Sequence, residues 1–155
     1  MDGSVYNIDM EAGAAQYDPR YLAGIVLFNR GDFFEAHEVW ESLWMETFGP
    51  EKKFYQGLIQ AAVGLCHFCN GNGRGALKLY KSSREYMHRY DMHFLGLDQT
   101  AFWQQMDRCY TELLAQPDPT RAVPIQEELI PTLDLNPPPD AWPEPEAFLE
   151  HEPEA

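Results

Sequence analysis

The chain has 155 residues and a formal net charge of −14, with 45% apolar and 14% aromatic residues. One domain with a real core is the expectation at this length, since domains cluster near 100–150 residues. No apolar run approaches the ~20 residues of a membrane span, so no membrane association is expected, and the acidic balance argues against a nucleic-acid backbone as the main partner. Residues 1–10 lack a basic start and an apolar stretch, so no secretory leader is expected. Three cysteines are too few for a disulfide framework and fit a reducing cytoplasm.

The predicted elements begin after an N-terminal extension, 1–17. Asp18-Pro19 reads as an N-cap followed by proline at the first helical position. The helix carries Tyr21, Leu22, Ile25, Leu27 and Phe28 until Gly31 stops it. Asp32 caps a second helix, about Phe33 to Thr47. Gly49-Pro50 separates it from a third, about Glu51 to Asn70. Gly71-Asn72-Gly73 breaks the chain before a fourth, about Arg74 to Tyr90. Asp98 caps a fifth that ends near Ala115. No stretch sustains a strand alternation. The fold class is therefore all-α, about five antiparallel helices in a compact bundle of helical hairpins over residues 18–116.

Residues 117–155 differ in kind. They hold ten of the twelve prolines, ten acids and one base. Helix and central strand are both disfavoured there, so an extended acidic arm is expected. Val123, Ile125, Leu129, Ile130, Leu133 and Leu135 recur in it, which predicts that 121–136 packs on the body and 137–155 is loose. A short helix fits Ile125–Ile130 before Pro131.

The body also contains an echo at an offset of 40 residues. Gly31, Asp32, Ala36 and Trp40 align with Gly71, Asn72, Ala76 and Tyr80. Small residues at Ala36 and Ala76 permit close helix approach, and the aromatics fill space one turn on. This is a device of helical hairpin repeats.

Polar residues in apolar surroundings supply the candidate site. On the second helix, Phe33, His37, Trp40 and Trp44 form one stripe and Phe34, Glu38, Glu41 and Met45 the next. His37, Glu38 and Glu41 can thus point at one volume. The third helix is apolar nearly all round, except that Gln56, Gln60 and His67 fall within about 40° of one another. In a hairpin turning at Gly49, Glu38 lies opposite Gln60 and Glu41 next to Gln56. Such groups could form a structural network that satisfies buried carboxylates. They could bind a divalent metal ion or a small polar ligand through His37, Glu38, Glu41 and His67, with Gln56 and Gln60 as supporting donors. They could also serve as acid and base in metal-assisted hydrolysis. The competing function is a non-catalytic interaction module that presents a groove to a peptide, a protein or a second copy.

Other motifs carry less. Cys66-x-x-Cys69 lies near a helix C-terminus, where the dipole opposes a thiolate, so buried structural thiols are expected. Gly71–Gly75 follows no strand and reads as a plain turn. Arg74, Lys78, Lys81, Arg84 and Arg89 make the fourth helix basic, which suits a solvated face or an acidic partner. His37-Glu38-Val39-Trp40-Glu41 is similar to a zincin helix with its second histidine replaced by glutamate.

The run from Phe28-Asn29-Arg30-Gly31-Asp32 through Glu35-Ala36-His37-Glu38-x-x-Glu41 and Trp44, with Gln56-Gly57-Leu58-Ile59-Gln60-Ala61-Ala62, His67 and Gly75-Ala76-Leu77, resembles the domain of unknown function 309 family over about residues 20–95. The resemblance implies a small helical fold and a shared polar cluster at Glu35, His37, Glu38, Glu41, Gln60 and His67. It implies no activity and does not extend to the acidic arm.

Overall fold

The computed structural model describes residues 17–118 and 120–149. The expected N-terminal extension lies outside the described residues except for Tyr17, as do residues 150–155 at the end of the arm. Five helices follow in chain order: α1 (Pro19–Asn29), α2 (Phe33–Glu46), α3 (Lys52–Cys69), α4 (Gly73–Met87) and α5 (Gln99–Ala115). The fold is all-α, with antiparallel neighbours joined by short turns. α2 packs between α1 and α3, and α3 packs between α2 and α4. No helix among the described residues is long and apolar enough to cross a membrane.

The turns have local causes. Asp18 accepts the Arg20 N–H at 2.9 Å and so caps α1, with Pro19 at its first position. α1 then closes in a Schellman motif: Gly31 takes φ +83°, and the Asp32 N–H reaches back to the Leu27 carbonyl at 2.9 Å. The same closure ends α3. Gly71 takes φ +80°, and the Asn72 N–H donates to the His67 carbonyl at 2.8 Å. The 40-residue echo is therefore a shared junction geometry. The junctions differ in one respect. The Asn72 side chain caps α4 by accepting the Gly75 N–H at 3.0 Å, whereas the Asp32 side chain makes no capping bond to α2.

Inward faces form the core. α2 buries Phe33, Ala36, Val39, Trp40 and Leu43, and α3 buries Phe54, Tyr55, Gly57, Leu58, Ala61, Ala62, Gly64, Leu65 and Phe68. Trp40 is fully enclosed, and its indole N–H donates to the Tyr21 carbonyl at 3.1 Å. Gly24 makes room for that ring, since a Cβ there would sit 1.9 Å from its nitrogen. Gly57 lets α4 approach α3 closely enough for the Ser83 hydroxyl to donate to its carbonyl at 2.7 Å. Of the residues that carry the sequence resemblance, Phe28, Ala36, Gly57, Leu58, Ala61, Ala62 and Ala76 are buried.

A short hairpin, too brief to show alternation in sequence, precedes α5. β1 (His93–Phe94) pairs antiparallel with β2 (Leu97–Asp98) around Leu95 and Gly96, both at positive φ. The arm adds to it, with Leu135 bridging Leu97. Two carboxamides hold the arm by its backbone. Asn29 exchanges two hydrogen bonds with Leu133, and Gln105 exchanges two with Thr132. Val123, Leu133 and Leu135 are buried on the body. The arm stays in contact beyond 136, where looseness was expected. Tyr17 donates to the Pro137 carbonyl at 2.6 Å, Pro145 is buried, and Arg30 pairs with Glu146 at 3.0 Å. The expected helix before Pro131 is a single 3-10 turn, Glu127–Leu129, and a second one spans Pro145–Phe148.

Candidate functional site

The polar residues expected to share one buried volume divide into two groups. His37, Glu38 and Glu41 line one surface groove of about 260 Å³ with Ser42 and Met45 of α2 and Phe148 and Leu149 of the arm. Gln56, Gln60 and His67 of α3 do not line it, nor does Glu35. Glu38 and Glu41 are exposed, while His37 and Glu35 are half-buried. The buried His/Glu/Gln cluster is thus replaced by an open groove on the outer side of α2. The cause lies in which stripe turns inward. Ala36, Val39 and Leu43 occupy the core together with Phe33 and Trp40, which leaves Phe34 and Met45 at 55% and 64% exposure.

Within the groove the imidazole is held from both sides. His37 Nδ1 lies 3.2 Å from the Phe34 carbonyl, and Nε2 lies 3.6 Å from Glu41 Oε2 one turn on. Beyond the groove, Arg20 contacts Glu46 at 3.3 Å and the Ser42 carbonyl, joining the start of α1 to the end of α2. Among the described residues, no group of three or more His, Cys, Asp and Glu side chains is placed to hold a metal ion.

The α3 residues serve the interior instead. His67 lies half-buried, and its Nδ1 is 3.3 Å from the Asn72 carboxamide nitrogen, the same side chain that caps α4. It therefore positions the α3–α4 junction. Gln56 and Gln60 are half-buried, and the Gln60 carbonyl oxygen is enclosed with no hydrogen-bond partner in this structure. The cysteines also depart from expectation. Cys66 is half-buried and Cys69 exposed, and both are free along with buried Cys109. Burial pushes the Cys109 thiol up to about 12. Burial, with Cys66 and Glu127 nearby, also raises Cys69, so a thiolate is disfavoured.

A second polar arrangement was not anticipated from sequence. Tyr80 donates to Asp107 at 2.5 Å, and Arg84 donates to the other Asp107 oxygen at 2.7 Å, tying α4 to α5. The Arg84 guanidinium also lies over the Trp103 ring at 4.8 Å. Burial and the bond to Asp107 push the Tyr80 hydroxyl up to about 12. Burial would raise Asp107, but the hydrogen bonds from Arg84 and Tyr80 outweigh it and hold the carboxyl below its usual range. Pairs at separate helix positions, Tyr80 and Arg84 with Asp107, leave no local spacing signal. Of the other groove residues, Met45 stood in the stripe with Glu38 and Glu41, whereas Phe148 and Leu149 carried no spacing signal because arm and helix meet only in the fold.

Part of the chain is similar to known proteins. Residues 21–79 match the model of the family described as domain of unknown function (DUF309). An uncharacterized protein of Aquifex aeolicus (strain VF5) is 36% identical over 72 residues, covering 46% of this chain and 22% of that protein. The uncharacterized protein YpuF of Bacillus subtilis (strain 168) is 34% identical over 104 residues, covering 63% of this chain and 58% of that protein. The chain thus matches less than two thirds of either relative's length. The residues that match the DUF309 model, 21–79, hold nearly all of α1, all of α2 and α3 and the first half of α4.

Proposed function

We propose that the chain is a non-catalytic protein-interaction module whose outer α2 face docks a basic, amphipathic segment of a partner protein. One observation carries this reading. Apolar and acidic side chains share a single solvent-facing stripe: Phe34 and Met45 stand 55% and 64% exposed beside Glu38 and Glu41, and Phe48 at the helix end is 92% exposed. Exposed apolar side chains flanking a pair of carboxylates on one helix face suit a partner that is both apolar and basic. A helix laid along α2 would set apolar anchors on Phe34 and Met45 about 16 Å apart, three turns along its own face. Its lysines or arginines would meet Glu38 and Glu41, and the net charge of −14 favours such a partner from a distance. His37, held by the Phe34 carbonyl and Glu41, keeps the middle of the face in register.

The test is an anisotropy titration with a labelled amphipathic Leu/Lys peptide. Wild-type protein binds it, and the double variant Glu38→Lys, Glu41→Lys weakens binding about tenfold, or about 1.4 kcal/mol. Reversing two exposed acids elsewhere, Glu128→Lys with Asp140→Lys, changes the net charge equally and leaves most of the affinity. Equal losses from both double variants would reduce the effect to bulk charge and overturn the reading.

A further inference from the structure

We infer that the partner of the α2 face is α4 of a second copy of this chain; the inference rests on the reading of α2 as a docking surface and names its occupant. α2 and α4 are the two helices related by the 40-residue echo. After their matching junctions, α2 and α4 place their side chains alike. Ala36 and Ala76 are buried, as are Trp40 and Tyr80, and Leu43 and Ser83. At the two equivalent solvent positions the residues are of opposite charge. Glu38 corresponds to Lys78 and Glu41 to Lys81, and all four are exposed. Both pairs are three residues apart, about 4.5 Å along a helix axis. Two carboxylates and two ammonium groups are therefore displayed at the same pitch on helices of similar burial.

These charges do not satisfy each other within one copy. α3 packs between α2 and α4. Among the described residues, Lys78 and Lys81 form no ion pair, and Glu41 contacts only the His37 imidazole. The basic stripe extends well past the pair. Arg74, Lys78 and Lys81 are exposed along α4 over about 10 Å, with Arg89 just past its end and Glu85 as the one exposed acid on the helix. The α4 stripe also suits the apolar part of the acceptor. Lysine stems cover apolar surface while their heads reach charge, so the stems of Lys78 and Lys81 can lie along α2 as their ammonium groups meet Glu38 and Glu41. A basic helix face is the chemistry that Glu38 and Glu41 call for, and this chain carries one.

The contact uses different surfaces on the two copies, so it is heterologous. It leaves one α2 face and one α4 face open at the ends, and it builds rings or open chains rather than a two-fold dimer. Long-range repulsion between copies of net charge −14 opposes approach, but at physiological salt it is screened beyond about 8 Å, while contact pairs persist.

Sedimentation velocity on the full chain at physiological salt tests this. Wild-type protein is expected to gain mass with concentration and to lose that association in about 1 M salt. The variant Glu38→Lys, Glu41→Lys carries two basic faces, and the variant Lys78→Glu, Lys81→Glu two acidic ones. Each should stay monomeric alone, and an equimolar mixture should recover association, because each then supplies the face the other lacks. Wild-type protein that remains monomeric at every concentration overturns the inference without recourse to any variant. So does a variant that associates alone, or a mixture that does not associate. The Leu/Lys peptide separates the two readings. If wild-type protein binds the peptide through α2 yet stays monomeric, the docking face stands and the homotypic partner falls. If peptide binding ignores the α2 reversal, both fall.

Discussion

The α1–α2 and α3–α4 hairpins share a junction and differ in what surrounds it. Each turns through a glycine at positive φ with an N–H reaching back to the helix it closes. Each then buries an alanine and, one turn later, an aromatic ring. Yet α3–α4 is locked by side chains: Asn72 caps α4, His67 braces Asn72, and Tyr80 and Arg84 bind Asp107. On α2 the polar residues face solvent instead, and Asp32 caps nothing. One backbone plan thus supports a rigidified hairpin and a hairpin with a displayed face. The inward stripe sets the fold, and the outward stripe is left to diverge.

The largest effect should come from the inward stripe. Trp40→Ala removes a fully enclosed ring and its bond to Tyr21, and urea unfolding should register a loss of about 3–5 kcal/mol. A loss under about 1 kcal/mol would mean that this ring is not central to the core. The junctions come next. Gly31→Ala and Gly71→Ala meet no atom within 4 Å, so only the left-handed backbone is penalised, at about 1 kcal/mol each. Unequal costs would break the equivalence of the two hairpins.

The brace between α4 and α5 predicts a pH dependence. The folded Asp107 carboxyl lies below its ordinary value, so its stabilisation is present above the unfolded pKa near 4 and fades as acid protonates it in the fold. Asp107→Asn should cost about 1 kcal/mol at neutral pH, a figure reduced for its partial exposure. It should also flatten the acid limb of the stability profile. A profile that keeps its acid limb in this variant would remove the brace from the account.

The smallest effect belongs to the displayed face. Glu38→Gln should change stability by less than about 0.5 kcal/mol, as exposed substitutions do. Zinc, manganese or iron should leave the melting temperature unchanged. A stabilisation that disappears in His37→Ala would make the groove a metal site instead.

Much of this architecture is legible in the residues themselves. Gly31-Asp32, Gly49-Pro50 and Gly71-Asn72 punctuate the helices because turns need conformations and caps that few residues supply. The rotation of α2 about its axis is harder to read. Phe34, Trp44 and Met45 compete on hydrophobicity with Ala36, Val39 and Leu43, and shape decides the contest: small side chains let α2 approach its neighbours while Trp40 fills the gap. That choice carried Glu38 and Glu41 outward. The arm is legible as packed through Leu133 and Leu135, but its anchoring by Asn29 and Gln105 is long-range and leaves no trace in local spacing.

The most direct test of the docking face is a residue-resolved NMR titration with the Leu/Lys peptide. The account predicts that the resonances of Phe34, Glu38, Glu41, Met45 and Phe48 move together and saturate as the peptide takes the α2 face. Movement spread evenly over the exposed acids, or confined to the arm, would contradict it.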